Sequence, residues 1–238
     1  MIEYDVQVLE DKNSLALAAS DLIAQIITLT LKKKSRVKIA LCGGSTPKAT
    51  YALLGKKNLE WNKVDFFLGD ERWVDNESRD SNCFLLNQSL FKEGNPSLKS
   101  SFFSVSTIKL ASPEASAKDY ESIIKKIFEG EPPRFDLILL GLGDDGHTAS
   151  LFPGSDALFV RDDLITVGEG KGHQRITFTS KLLNSSDNII FLISGSAKQK
   201  ALKRLLDPSE SWERTPAKLV SQSSKIIVLA DKDAYSYT

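Results

Sequence analysis

The sequence predicts an α/β fold: a mostly parallel sheet flanked by helices on both faces, with a small lobe of loops and short strands. Three observations carry this reading. Apolar runs alternate with helical patterns along the 238 residues. Most of the strand-like runs are apolar at nearly every position, as strands covered on both faces must be. Several of them end on glycines or on clustered charges, where a chain turns from strand to helix.

In order, "YDVQVLE" alternates like a strand, and "NSLALAASDLIAQIITLTLKKK" has helical length and periodicity. "RVKIALCGG" is a buried strand ending on glycines. Thr46-Pro47 then starts a helix, a capping hydroxyl followed by proline at the first helical position. "VDFFLG" is a strand, "SNCFLLNQSLF" a helix, "SFFSV" a short strand and "PEASAKDYESIIKKIF" an amphipathic helix with Pro113 near its start. "FDLILLGLG" is the clearest buried strand. "RITFT", "NIIFLISG" and "KIIVLAD" follow, with the helix "SAKQKALKRLL" between the last two, stopping before Pro208. No repeat or low-complexity linker divides the chain, so residues 1–238 are read as one domain. The loops and short strands of residues 150–185 are compatible with a small lobe.

Composition narrows the partners. The chain has 31 basic and 31 acidic residues and no net formal charge, which gives no electrostatic reason to expect nucleic acid or an anionic membrane. Lys32-Lys33-Lys34 reads as the C-terminal end of a helix, where cations suit the dipole. No apolar stretch is expected to reach the roughly 20 residues of a membrane span. "MIEYDVQVLED" lacks a basic-then-apolar leader. Cys42 and Cys83 have no metal-ligand spacing and read as reduced thiols, which fits the cytoplasm.

Open α/β sheets bind ligands beyond the carboxyl ends of their strands. Four such ends here carry unusual residues: Gly43-Gly44-Ser45-Thr46, Asp70-Glu71-Arg72, Asp144-Asp145-Gly146-His147 and Ser196-Ala197-Lys198. If the strands are parallel, all four turns share one rim. The first can hold an anion on backbone N–H groups, helix N-terminus and hydroxyls, or can be a plain helix cap. It lacks both the Gly-Lys-Ser/Thr ending of a nucleotide loop and the glycine spacing of a dinucleotide loop. The charged triplet reads equally as a solvated loop or as Arg72 aimed at developing negative charge. His147 is one of two histidines, and an imidazole exchanges protons near neutral pH. Asp144 or Asp145 on the same turn, or Asp70 from the neighbouring turn, can orient it. His173, in the polar loop "GEGKGHQ", reads as a surface residue. Trp73 follows Arg72 and is a candidate for the pocket mouth; the other aromatics read as packing. Scattered histidines, cysteines and carboxylates argue against a metal site.

These stretches, in this order, resemble the 6-phosphogluconolactonase family. The matching segments are "LCGGSTPKATYALL", "FFLGDERWVDNESRDSNCFLL", "FDLILLGLGDDGHTASLFPGS", "RITFTSKLLNSS" and "FLISGSAKQKAL". The resemblance implies an α/β sandwich that hydrolyses the δ-lactone of 6-phosphogluconate in the pentose phosphate pathway, with neither metal nor organic cofactor. It assigns the catalytic base to His147, acidic and basic site residues to Asp70 and Arg72, and the family's neighbouring aspartate position to Asp145. It assigns substrate-phosphate contacts to Gly43, Gly44, Ser45, Thr46, Arg175 and Lys198. The chain departs from the family's proline-rich approach before Arg175, where it has "GEGKGHQ".

Two other functions are open on the same fold. A glucosamine-6-phosphate isomerase or deaminase would use Asp70 to move a carbon-bound proton. That family has tyrosine where Arg72 stands and glutamate where this chain has Phe152. A non-catalytic sugar-phosphate sensor would carry a DNA-binding segment, and the chain shows no basic patch for one.

Overall fold

The computed structural model describes residues 3–221 and 225–236. The elements are β1 (Tyr4–Leu9), α1 (Lys12–Leu31), β2 (Val37–Leu41), α2 (Ser45–Leu54), β3 (Val64–Leu68), β4 (Asp70–Arg72), α3 (Asn82–Asn87), β5 (Ser101–Phe103) and α4 (Pro113–Ile127). There follow β6 (Leu137–Gly141), β7 (Ile165–Gly170), β8 (His173–Phe178), α5 (Ser180–Leu183), β9 (Asn188–Ile193), α6 (Gln199–Leu206), β10 (Lys225–Asp231) and α7 (Lys232–Tyr235).

Seven strands form the main sheet in the order β1-β10-β9-β6-β2-β3-β5, and every neighbouring pair is parallel. The central strands are buried along almost their whole length; β3, "VDFFL", is buried at all five positions. Helices cover both faces, so these strands carry no polar face. At the edge, β1 is instead partly exposed. A second sheet, β4-β8-β7, is antiparallel. It is the small lobe expected near residues 150–185, and "RITFT" belongs to it rather than to the parallel sheet.

Local chemistry explains most helix boundaries. The Asp11 side chain accepts the Ser14 N–H at 2.8 Å and starts α1. Ser112 caps α4, and Pro113 takes the first helical position, where no N–H is needed. Lys32 ends α1, and Lys34 pairs with Asp136 and Asp187.

Several expectations are corrected. α2 begins at Ser45, not after Thr46: Gly44 holds the cap position at φ 109, and no side chain caps the helix. α3 ends at Asn87, well before Phe91. "GEGKGHQ" is not a loop but the tip of the β7–β8 hairpin, turning on Lys171 (φ 52) and Gly172 (φ 79). His173 therefore begins a strand. The expectation that no stretch reaches membrane-span length fails for α1, which has 20 residues and enough apolar character. Its own packing accounts for this: Leu15, Ala19, Ile23, Ile26 and Ile27 enter the core at helical spacing.

Candidate active site

Because β2, β3, β6 and β9 run the same way, their carboxyl ends meet on one rim. A cleft of about 270 Å³ opens there, at the crevice position typical of open α/β sheets. Of the residues expected in the site or at its mouth, all line it except Asp145, which reaches it through His147, and Trp73.

The turn after β6 carries the titratable pair. His147 Nδ1 lies 2.5 Å from Asp145 Oδ1, and the same oxygen accepts the His147 backbone N–H at 3.1 Å. With Nδ1–H donated to the carboxylate, Nε2 is left with a free lone pair. Burial opposes ionisation of Asp145. The hydrogen bonds from His147, with the nearby imidazole and Lys171, outweigh it and hold the carboxyl well below the usual range. Asp145 is thus the orienting aspartate. Asp70 is committed elsewhere, to Ser150 Oγ at 2.6 Å and Asn82 Nδ2 at 3.3 Å. Gly143 makes the pair fit: a Cβ there would lie 2.0 Å from His147 Nδ1. The Gly143 and Gly146 N–H groups donate to His147 O and Gly143 O. Both are consumed by the turn and are not free to hold an oxyanion.

The opposite wall belongs to the small sheet. Asp70-Glu71-Arg72 is a strand, not a loop, and side chains alternate along a strand. Asp70 and Arg72 line the cleft. Glu71 turns away and is fully buried. Its carboxylate accepts the N–H groups of Arg72, Asn82 and Cys83 at 2.7–2.8 Å and the Ser81 hydroxyl at 3.0 Å. Burial nevertheless raises its pKa. Glu71 pins the start of α3 and so fixes the 72–82 loop under Arg72.

Arg72 pairs in register with Arg175 across β4 and β8. Two guanidinium groups opposite each other repel. Burial, and then the Arg72 charge, depress the Arg175 pKa against the pull of Asp70. Arg175 donates Nε–H to Gly170 O at 3.2 Å and lies 3.8 Å from Asp70. Arg72 donates from Nη1 to Asp80 O, while its buried Nε has no partner among the described residues.

The rim is completed by the uncapped start of α2, with the Ser45 and Thr46 hydroxyls, and by Lys198 in the turn after β9. Burial and then Lys171 lower the Lys198 pKa, against Asp144 and Asp145. Four cationic side chains, Arg72, Lys171, Arg175 and Lys198, thus line the cleft with one carboxylate, Asp70, in a chain of zero net charge, Asp144 pairing with Lys171 beside it. That imbalance suits an anionic ligand. Among the described residues no cluster of three His, Cys, Asp or Glu side chains is placed to hold a metal.

Sequence reasoning missed Lys171, which pairs with Asp144 at 2.9 Å across the cleft mouth, and Asn82 and Ser150, which hold Asp70. Trp73 does not reach the mouth; its indole N–H donates to Ser116 Oγ at 3.1 Å on α4.

Residues 10–228 match the family model described as glucosamine-6-phosphate isomerases/6-phosphogluconolactonase. The chain is similar to a 6-phosphogluconolactonase of Nostoc sp., 38% identical with 96% of each chain covered. It is similar to another of Synechocystis sp., 39% identical with 96% of each covered. A solved 6-phosphogluconolactonase from Shewanella baltica superposes with a TM-score of 0.85 at 25% identity, covering 96% of this chain and 98% of that one.

Proposed function

The chain belongs to the glucosamine-6-phosphate isomerase/6-phosphogluconolactonase family, and from that premise we propose that it is a 6-phosphogluconolactonase, hydrolysing 6-phospho-D-glucono-1,5-lactone to 6-phosphogluconate. The observation that carries the reading is the meeting, in one cleft, of a histidine oriented by an ionised aspartate and a surplus of fixed cations.

A lactone is an ester, so its hydrolysis needs an activated water and a stabilised oxyanion. His147 Nε2 takes a proton from water as the oxygen attacks C1. Asp145 holds the ring and stabilises the imidazolium that forms. Arg72, which lines the cleft, faces the charge developing on the carbonyl oxygen. The intermediate collapses by expelling the ring oxygen, which takes the proton back from His147. The substrate phosphate is held by the α2 N-terminus, Ser45, Thr46, Arg175 and Lys198. This anchoring makes the attack effectively intramolecular. The chemistry calls on no metal or organic cofactor.

The cleft draws its walls from both sheets, which supports reading residues 1–238 as one catalytic domain. Two buried, unpaired cysteines support a reducing compartment, the cytoplasm.

The test is lactone hydrolysis by purified protein, scored against a no-enzyme blank because the lactone opens spontaneously. Turnover well above the blank, with no ammonia released from glucosamine 6-phosphate, is expected. Ammonia release without lactone hydrolysis would reverse the assignment in favour of a deaminase.

A further inference from the structure

Phe152 has no part in the chemistry above, yet both halves of the site rest on it. Its ring is almost fully buried. The His147 imidazole lies over it with ring centroids 4.3 Å apart, and the Arg175 guanidinium carbon lies 5.3 Å from its centroid. The hairpin closes the assembly from a third direction. A Cβ on Gly170 would stand 2.5 Å from the phenyl edge, and the Gly170 carbonyl accepts the Arg175 Nε–H. One ring thus touches the imidazole, the buried guanidinium and the strand that carries both hairpin contacts.

The chemistry of these contacts is complementary. An aromatic face attracts a cation, by roughly 0.5–2 kcal/mol depending on desolvation. Arg175 is cationic in the resting protein, and His147 becomes cationic when it takes the water proton. Asp145 fixes the imidazole only through Nδ1, so a second contact is needed to fix the ring plane. The charged groups sharing this space are Asp145 on the same turn, Arg175 on β8, Asp70 on β4 at 3.8 Å from Arg175, Arg72 on β4, Lys171 at the hairpin tip and Lys198 after β9.

We propose that Phe152 is a positioning residue that sets the His147 ring and the Arg175 guanidinium together, tying proton transfer to anion binding. The inference rests on the lactonase reading for its kinetic arm and on anion binding alone for its second arm.

Phe152→Met fills similar volume without an aromatic face, and Phe152→Tyr keeps the face. Phe152→Met is expected to lower kcat about tenfold and to weaken 6-phosphogluconate binding, while Phe152→Tyr stays within about twofold of wild type. The Phe152→Met/Arg175→Met double variant is expected to bind 6-phosphogluconate no more weakly than Arg175→Met alone, because the ring acts on the ligand through Arg175. Gly170→Ala, which displaces the ring without changing it, is expected to reproduce the kcat loss and decides the matter if Phe152→Met does not fold. A Met variant within twofold of wild type, a Tyr variant as poor as Met, or additive binding losses in the cycle would overturn the proposal. A wild-type protein that binds 6-phosphogluconate but hydrolyses no lactone would sink the functional reading and leave the binding cycle to decide Phe152. Failure of both binding and turnover would end both.

Discussion

The two ends of the parallel sheet treat charge in opposite ways. At the amino ends of the strands, carboxylates are saturated. Asp65 on β3 is paired with Arg36, and Asp136 before β6 takes Lys34 and the Lys38 N–H. Asp187, before β9, is shared by Lys34 and Arg134. At the carboxyl ends cations predominate: four of them and one carboxylate line the cleft, with Asp144 taking Lys171 beside it, and α2 starts without a side-chain cap. Paired charge at one end closes the fold. The surplus of lining cations at the other end suits an anion. Asp136 and Asp145 are both charged residues beside β6, and their surroundings, not their type, pair one with Lys34 and a backbone N–H and the other with the His147 ring.

Substitutions at the two ends break this comparison differently. Arg72→Met should lower kcat by roughly 10²–10³-fold, the usual cost of removing an oxyanion donor, with little change in Tm; a Tm collapse would make Arg72 structural. Asp145→Asn should cost on the order of 10²-fold in kcat, because an amide no longer selects the Nδ1–H tautomer. The Asp145 carboxyl is depressed in the folded state, so the stability it contributes is complete above the ordinary aspartate range. It is lost only as pH falls through the lower folded value. Mild acidification should therefore leave this contribution to the fold intact, with the circular dichroism spectrum unchanged.

At the other end, Arg36→Met leaves Asp65 buried without its partner. It should cost about 1–3 kcal/mol in denaturant unfolding, the penalty of a buried acceptor left without its donor, while kcat of the folded fraction is unchanged. A kcat change there would mean the two ends are coupled. The smallest effect is expected of Lys198→Met, with KM raised about tenfold, or about 1.4 kcal/mol, and kcat nearly intact. A kcat loss without a KM change would move Lys198 from binding to chemistry.

What the sequence revealed follows from what is local. Apolar strands buried on two faces, and the glycines and charges that end them, placed the sheet, its rim and nearly the whole site. The small sheet was harder to read because its logic is non-local. Asp70-Glu71-Arg72 is too short to show a period of two, and Glu71 becomes intelligible only when the N–H groups of Asn82 and Cys83 arrive. Asp70 looked able to serve His147 until Ser150, 80 residues away, occupied it. The hairpin was hidden by the polarity of "GEGKGHQ", although Lys171-Gly172 is a two-residue turn. Phe152 carried no signal beyond its apolarity; its partners meet it only in the folded chain.

The measurement that bears most directly on the shared rim is turnover by His147→Ala, with 6-phosphogluconate affinity determined on the same sample. A fall of roughly 10²–10⁴-fold in lactone hydrolysis, with product binding retained, is expected of a proton-transfer residue in a cleft otherwise intact. Turnover close to wild type would contradict the account, because no other described residue in the cleft offers an oriented imidazole.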